Sequence, residues 1–121
     1  MRALPSDEVL EKIADVLKAL ADPTRLRILH VLQDGELCVS DILGHVGGSQ
    51  ANVSKHLSVL KRAGLVGCHR EGLNVFYHIS DDGVFAICRN VCDSLQIRLD
   101  RERETLAEAR SRMDTGTGSP D

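Results

Sequence analysis

Two sets of side chains in this 121-residue chain have the types and spacing to do chemistry. The first is a run of amides and hydroxyls, Ser49, Gln50, Asn52 and Ser54, continuing through Lys55, His56, Lys61 and Arg62, with no carboxylate from Ser49 to Val66. Amides and hydroxyls read base edges, and Lys and Arg neutralise phosphates, so this chemistry is DNA recognition. The plain alternative is an amphipathic surface helix with a solvated polar face. The second set is the four cysteines, Cys38, Cys68, Cys88 and Cys92. Cys88 and Cys92 are four residues apart, which places both sulfurs on one helix face, about 6 Å apart along the axis at 1.5 Å per residue. Arsenite, cadmium or lead would suit such a pair, with Cys38, Cys68 or a thiol of a partner chain completing the site. A disulfide within one helix is disfavoured by that spacing, whereas a disulfide or polysulfide to another thiol is open. The same two cysteines share a stripe with Val84, Val91 and Leu95, where a thiol serves equally as a small hydrophobe.

Other chemistries find no residues. The cysteines lack zinc-ribbon or zinc-finger spacing. There is no nucleophile–base pairing, no phosphate-cradling glycine loop and no carboxylate pair, so no enzyme is expected. His30 and His45 read as packing or surface residues. His69 and His78 flank a hairpin, where phosphate contact or solvent is their simplest role.

The elements that must position these residues follow from periodicity. Val53, Leu57 and Leu60 form the buried stripe of a helix that opens at Ser49 and stops at Ala63-Gly64. His56, three residues after Val53, reads either as a DNA contact or as a helix-edge packing residue. Before that helix, Ile42, Leu43 and Val46 mark a short helix ending at Gly47-Gly48, so the pair has the helix-turn-helix layout. Upstream, Ser6-Asp7-Glu8 starts a helix whose stripe is Val9, Leu10, Ile13, Val16, Leu17 and Leu20. Asp22-Pro23-Thr24 starts another, with Leu26, Ile28, Leu29, Val31 and Leu32 buried and Arg25 and Arg27 at the surface. After Gly64 the period changes to that of two strands, 65–70 and 73–79, joined at Glu71-Gly72, a basic wing carrying Arg70. A last helix follows, with Val84, Ile87, Cys88, Val91, Cys92, Leu95 and Leu99 on one side. Thr115 to Pro120 reads as a flexible tail. The expected organisation is one mainly α domain over 1–113 with a β-hairpin wing, and a tail over 114–121.

The net charge of −3 argues against a generally basic protein. Residues 50–80, however, carry Lys55, Lys61, Arg62 and Arg70 against the single carboxylate Glu71, and DNA binding needs only a local basic surface. Apolar runs are short and the N-terminal residues turn acidic at once, so no membrane span and a cytoplasmic location are expected.

With the elements in this order, the chain resembles the ArsR/SmtB family of winged helix-turn-helix repressors from about Val9 to Leu95. The marks are Lys18 through Leu29, Glu36 through Ile42, Ser49-Gln50, Val53 through Leu57, Leu60, Ala63 through Val66, and Arg70-Glu71-Gly72 followed by Tyr77. The resemblance implies a homodimer paired through the first and last helices, bound to a palindromic operator on double-stranded DNA and released by a ligand or oxidant. Carried over by position, it puts Ser49, Gln50, Asn52, Ser54, Lys55 and His56 at the groove. Lys61 and Arg62 then lie near phosphate, and Arg70 and Gly72 in the wing. Arsenic-sensing members carry Cys-Val-Cys where this chain reads Cys38-Val39-Ser40, so the second thiol is a hydroxyl here. The His ligands of zinc-sensing members are missing from the last helix. The inducer is therefore read as a thiol-sensed signal through Cys38, Cys88 and Cys92: arsenite, a soft metal ion, an oxidant or a reactive sulfur species. The alternatives are a repressor with structural cysteines and another inducer, or a protein-interaction module.

Overall fold

Each of the first helices begins where a short polar side chain closes its first turn. The structure is a computed structural model that describes the backbone of residues 3–117. Helix α1 (Asp7–Leu20) is capped by Ser6, whose Oγ accepts from the Val9 N–H at 3.3 Å, and Asp7 and Glu8 face the positive end of its dipole. Helix α2 (Pro23–Leu32) is capped by Asp22, whose Oδ1 accepts from the N–H groups of Thr24 at 2.8 Å and Arg25 at 3.1 Å. Pro23 costs nothing there, because its missing N–H would have no partner in the first turn.

A strand β1 (Leu37–Cys38) precedes α3 (Val39–Val46), and Cys38 is the residue from which α3 starts. Gly47 and Gly48, with φ of 75° and 86°, then turn the chain in a conformation that side-chain-bearing residues avoid. The turn delivers it to α4 (Gln50–Arg62), where Ser49 Oγ accepts from the Asn52 N–H at 3.1 Å. Strands β2 (Val66–Glu71) and β3 (Asn74–Ile79) complete an antiparallel sheet of order β1-β3-β2.

Two sequence expectations shift here. Leu37-Cys38, read as a lead-in to the third helix, is a strand whose residues pair with Tyr77 and Phe76. The hairpin turns at Gly72-Leu73 and not at Glu71-Gly72, because Glu71 still pairs with Asn74. Gly72 supplies the positive φ of 61° that a tight hairpin with glycine at its first central position requires. Leu73 is thereby left wholly exposed at the tip.

The chain divides into two compact units, residues 1–82 and 83–121. The core of the first is aliphatic: Ile28, Leu29 and Leu32 of α2, Ile42 of α3, Val53, Leu57 and Leu60 of α4, with Leu65 and Val66. Its hairpin is fastened to the end of α4 by three bonds. Leu65 N–H donates to Leu60 O, Ser80 N–H to Leu65 O, and Ser80 Oγ to Gly64 O, at 3.0, 3.0 and 3.1 Å. The second unit is the helix α5 (Gly83–Thr117). It runs past Asp114 into the segment that composition marks as a tail; Gly118–Asp121 lie outside the described residues.

Candidate nucleic-acid interface

The recognition candidate α4 is fixed from beneath. Val53, Leu57 and Leu60 are completely buried, so the helix cannot roll without uncovering its stripe. What this leaves outward is a face free of carboxylates. Gln50, Asn52, Ser54, Lys55, Lys61 and Arg62 are all exposed, as is the capping Ser49. At 3.6 residues per turn, Lys55 and Arg62 lie opposite the buried stripe, while Gln50, Ser54 and Lys61 line one flank. Gln50 to Ser54 occupy the N-terminal turns, which also carry the positive end of the helix dipole. An arrangement of amides and hydroxyls at the leading end and cations along the rest can read bases and hold phosphates at once.

Both flanks are braced, and on each the brace involves a residue that periodicity did not single out. On one, the Cys68 side chain of β2 lies beside Lys61 and, with Tyr77, favours its charged form, holding the Lys61 ammonium above its ordinary pKa. On the other flank, His56 is half-buried, with Nδ1 3.3 Å from Arg25 Nη1. This contact engages one ring nitrogen, Nδ1, at the edge of α4.

Arg25 itself differs from its expectation as a surface charge. It is half-buried, and its Nε donates to Ala19 O at 2.6 Å and its Nη2 to Lys18 O at 3.1 Å. It thus closes the C-terminal carbonyls of α1 while reaching α4, tying three helices together. The signal was present in the sequence only as an arginine just after a helix cap, a position that does not by itself distinguish a brace from a solvated cation.

The wing brings Arg70 and Gly72 to the exposed end of the hairpin. The first unit carries the thiols of Cys38 and Cys68, and α5 those of Cys88 and Cys92. Cys38, at the head of α3, donates to Asp41 Oδ2 at 3.2 Å and has Ser40 Oγ also at 3.2 Å. Cys88 is half-buried and Cys92 exposed on α5, and all four cysteines are free thiols. No helix among the described residues is long and apolar enough to cross a membrane.

Comparison with known proteins gives this geometry a context. Residues 22–67, from the α2 cap to the start of β2, match the family described as bacterial regulatory protein, arsR family. An uncharacterised helix-turn-helix transcriptional regulator of Methanocaldococcus jannaschii is 44% identical over 85 residues, covering 69% of this chain and 96% of that protein. A transcriptional repressor SmtB homolog of Synechocystis is 40% identical over 86 residues, 71% of this chain and 65% of the repressor. Among solved structures, a homodimeric winged helix-turn-helix DNA-binding domain of a possible ArsR-family regulator from Mycobacterium bovis superimposes with a TM-score of 0.68. It is 36% identical and covers 78% of this chain and 94% of that domain.

Proposed function

The chain belongs to the arsR family of bacterial regulatory proteins, whose members regulate transcription and are not enzymes, and from that premise we propose that it is a homodimeric repressor released from a palindromic operator by a thiol-sensed signal. The observation that carries the reading is the carboxylate-free exposed face of α4 on a helix whose opposite side is fully buried. Ser49, Gln50, Asn52 and Ser54 meet the major groove, Lys55, Lys61 and Arg62 the phosphates, and Arg70 with Gly72 the adjoining backbone. His56 joins them at the edge of the groove, its Nδ1 held by Arg25.

Dimerisation is supported by what a single chain leaves uncovered. Val9, Leu10, Ile13 and Leu17 of α1 are 44–49% exposed, and Ile87, Val91, Leu95 and Leu99 of α5 are 38–55% exposed. Apolar stripes of this extent mark interaction surfaces, and a second copy would cover both. Two copies also explain a two-fold symmetric operator, because each presents one α4 to one half-site.

The signal is assigned to Cys88 and Cys92, which share a face of α5 and are not sealed within the chain, with Cys38 as a separate candidate. Their softness selects arsenite, cadmium or lead, or a reactive sulfur or oxidising species. A second reading, structural cysteines and another inducer, is favoured by the position of both thiols on the same stripe as Val91 and Leu95. The experiment is operator release measured on reduced protein titrated with arsenite, cadmium, lead, peroxide and polysulfide. Cys38→Ser, Cys88→Ser and Cys92→Ser are run beside it. Release by one of these agents that is lost in a cysteine variant is the expected result. Release by none of them refutes thiol sensing.

A further inference from the structure

We propose a second site, on the outer face of the wing sheet, that binds a borderline divalent cation, zinc foremost, through Glu36, His69 and His78. The three side chains come from three different strands or their approaches, yet each offers a ligand atom within 4.8 Å of the other two. The register explains why they meet. Directly opposed residues in an antiparallel sheet share a face, and so do alternate residues along a strand. His78 pairs with Gly67 and His69 with Phe76, which sets both imidazoles on one face. The pairing of Leu37 with Tyr77, continued by one residue, sets Glu36 beside His78 on that same face.

Three features prepare the cluster for a metal. A Cβ on Gly67 would stand 2.7 Å from His78 Nε2, so only glycine leaves room for the ring where it lies. The His69 ring is stacked on Phe76, at 5.8 Å between centroids and 19° between planes, which limits its rotation. Each nitrogen of His69 also has a carboxylate near it, Nδ1 at 3.5 Å from Glu36 and Nε2 at 3.6 Å from Glu71. Bound through one nitrogen, the imidazole keeps a carboxylate at the other, the partner that orients and strengthens a metal-ligating histidine.

Two imidazoles and a carboxylate suit zinc, with cobalt or nickel as substitutes, and water completes a tetrahedron. Zinc bonds of about 2.0–2.2 Å place tetrahedral ligand atoms roughly 3.5 Å apart, so the exposed ends of Glu36 and His69 have only about an ångström to travel. The site contains no sulfur, and it stands or falls independently of the thiol signal. A cation there would pin the segment entering α3 to the base of the wing.

The test is zinc titration of the full reduced chain, followed by calorimetry and by long-range imidazole NMR. His69→Gln, His78→Gln and Gly67→Ala are carried in parallel, the last retaining every ligand. Zinc is expected to shift the His69 and His78 ring resonances while those of His30, His45 and His56 stay in place; Gly67→Ala, which displaces a ligand without removing it, is expected to lose about 10–100-fold in affinity, and the two histidine variants at least as much. Thermal melts of the apo forms separate loss of a ligand from loss of the fold. Wild-type affinity in either histidine variant, or shifts at His30, His45 or His56 instead, would overturn the site.

Discussion

Replacing Lys55 by Gln should flatten the salt dependence of operator binding without altering which sequence is preferred. Lys55 is exposed and lies opposite the buried stripe of α4, so the change removes a charge and leaves the helix seated. If Lys55, Lys61, Arg62 and Arg70 each neutralise one phosphate in each of two copies, the dimer makes about eight such contacts. The slope of log affinity against log salt is then roughly −7. Losing Lys55 in both copies takes away two contacts and about 1.8 of that slope. Between about 50 and 200 mM salt the native protein should therefore lose about 12-fold more affinity than the variant. Gln50→Ala should do the reverse, costing about 1–3 kcal/mol on the operator alone and leaving the slope intact. Fluorescence anisotropy with operator and scrambled duplexes across that salt range reads both quantities. An unchanged slope for Lys55→Gln, or an equal loss on both duplexes for Gln50→Ala, would refute the assignment of this face.

Other residues yield equally direct tests. Ser49→Ala removes the α4 cap and should cost about 0.5–2 kcal/mol in urea unfolding; Ser49→Asp keeps a cap but should weaken DNA binding by setting a negative charge at the groove, and parallel effects of the two would contradict this. Arg25→Ala strips two donors from the α1 carbonyls and should cost about 1.5–3 kcal/mol. Arg25→Lys should recover only part of that, since a point donor cannot span both carbonyls; full recovery would show that charge alone matters. The Arg25 N–H, then that of Thr24, holds the Asp22 carboxyl below its ordinary value. Its contribution to stability is thus complete above the unfolded value near pH ~4 and is lost as pH falls through the lower folded value. Asp22→Asn keeps the cap without the ionisation, so the stability gap between the two proteins should be level above pH ~4 and close below it; a gap unchanged down to about pH 2 would exclude the linkage.

What the sequence made legible was whatever depends on neighbours along the chain. The caps at Ser6, Asp22 and Ser49, the stripe Val53-Leu57-Leu60 and the stop at Ala63-Gly64 are all decided within a few residues, and helix starts and faces followed from them. The polar face of α4 was legible for the same reason, because exposing it is the consequence of burying the stripe. The residues that periodicity misjudged depend on partners far away in sequence. Leu37-Cys38 is too short to announce itself as a strand; it is one only because Tyr77 and Phe76 lie alongside.

Arg25 and the imidazole cluster carry the same lesson further. An arginine one turn into a helix looks solvated until α1 ends beside it and α4 offers His56, 31 residues on. Glu36, His69 and His78 have no informative spacing, since their meeting depends on the register of two strand pairings at once. The turn itself was read one residue early at the hairpin tip, and moving a two-residue turn by one residue shifts every cross-strand pair by two. Had the turn lain at Glu71-Gly72, Arg70 would face Leu73 and His69 would face Asn74, leaving His69 and His78 on one face but about 7 Å farther apart along the sheet. The site therefore depends on Gly72 holding the turn as much as on Gly67 clearing space for a ring. That makes the register, measurable by cross-strand amide contacts in NMR, the physical condition on which zinc binding rests.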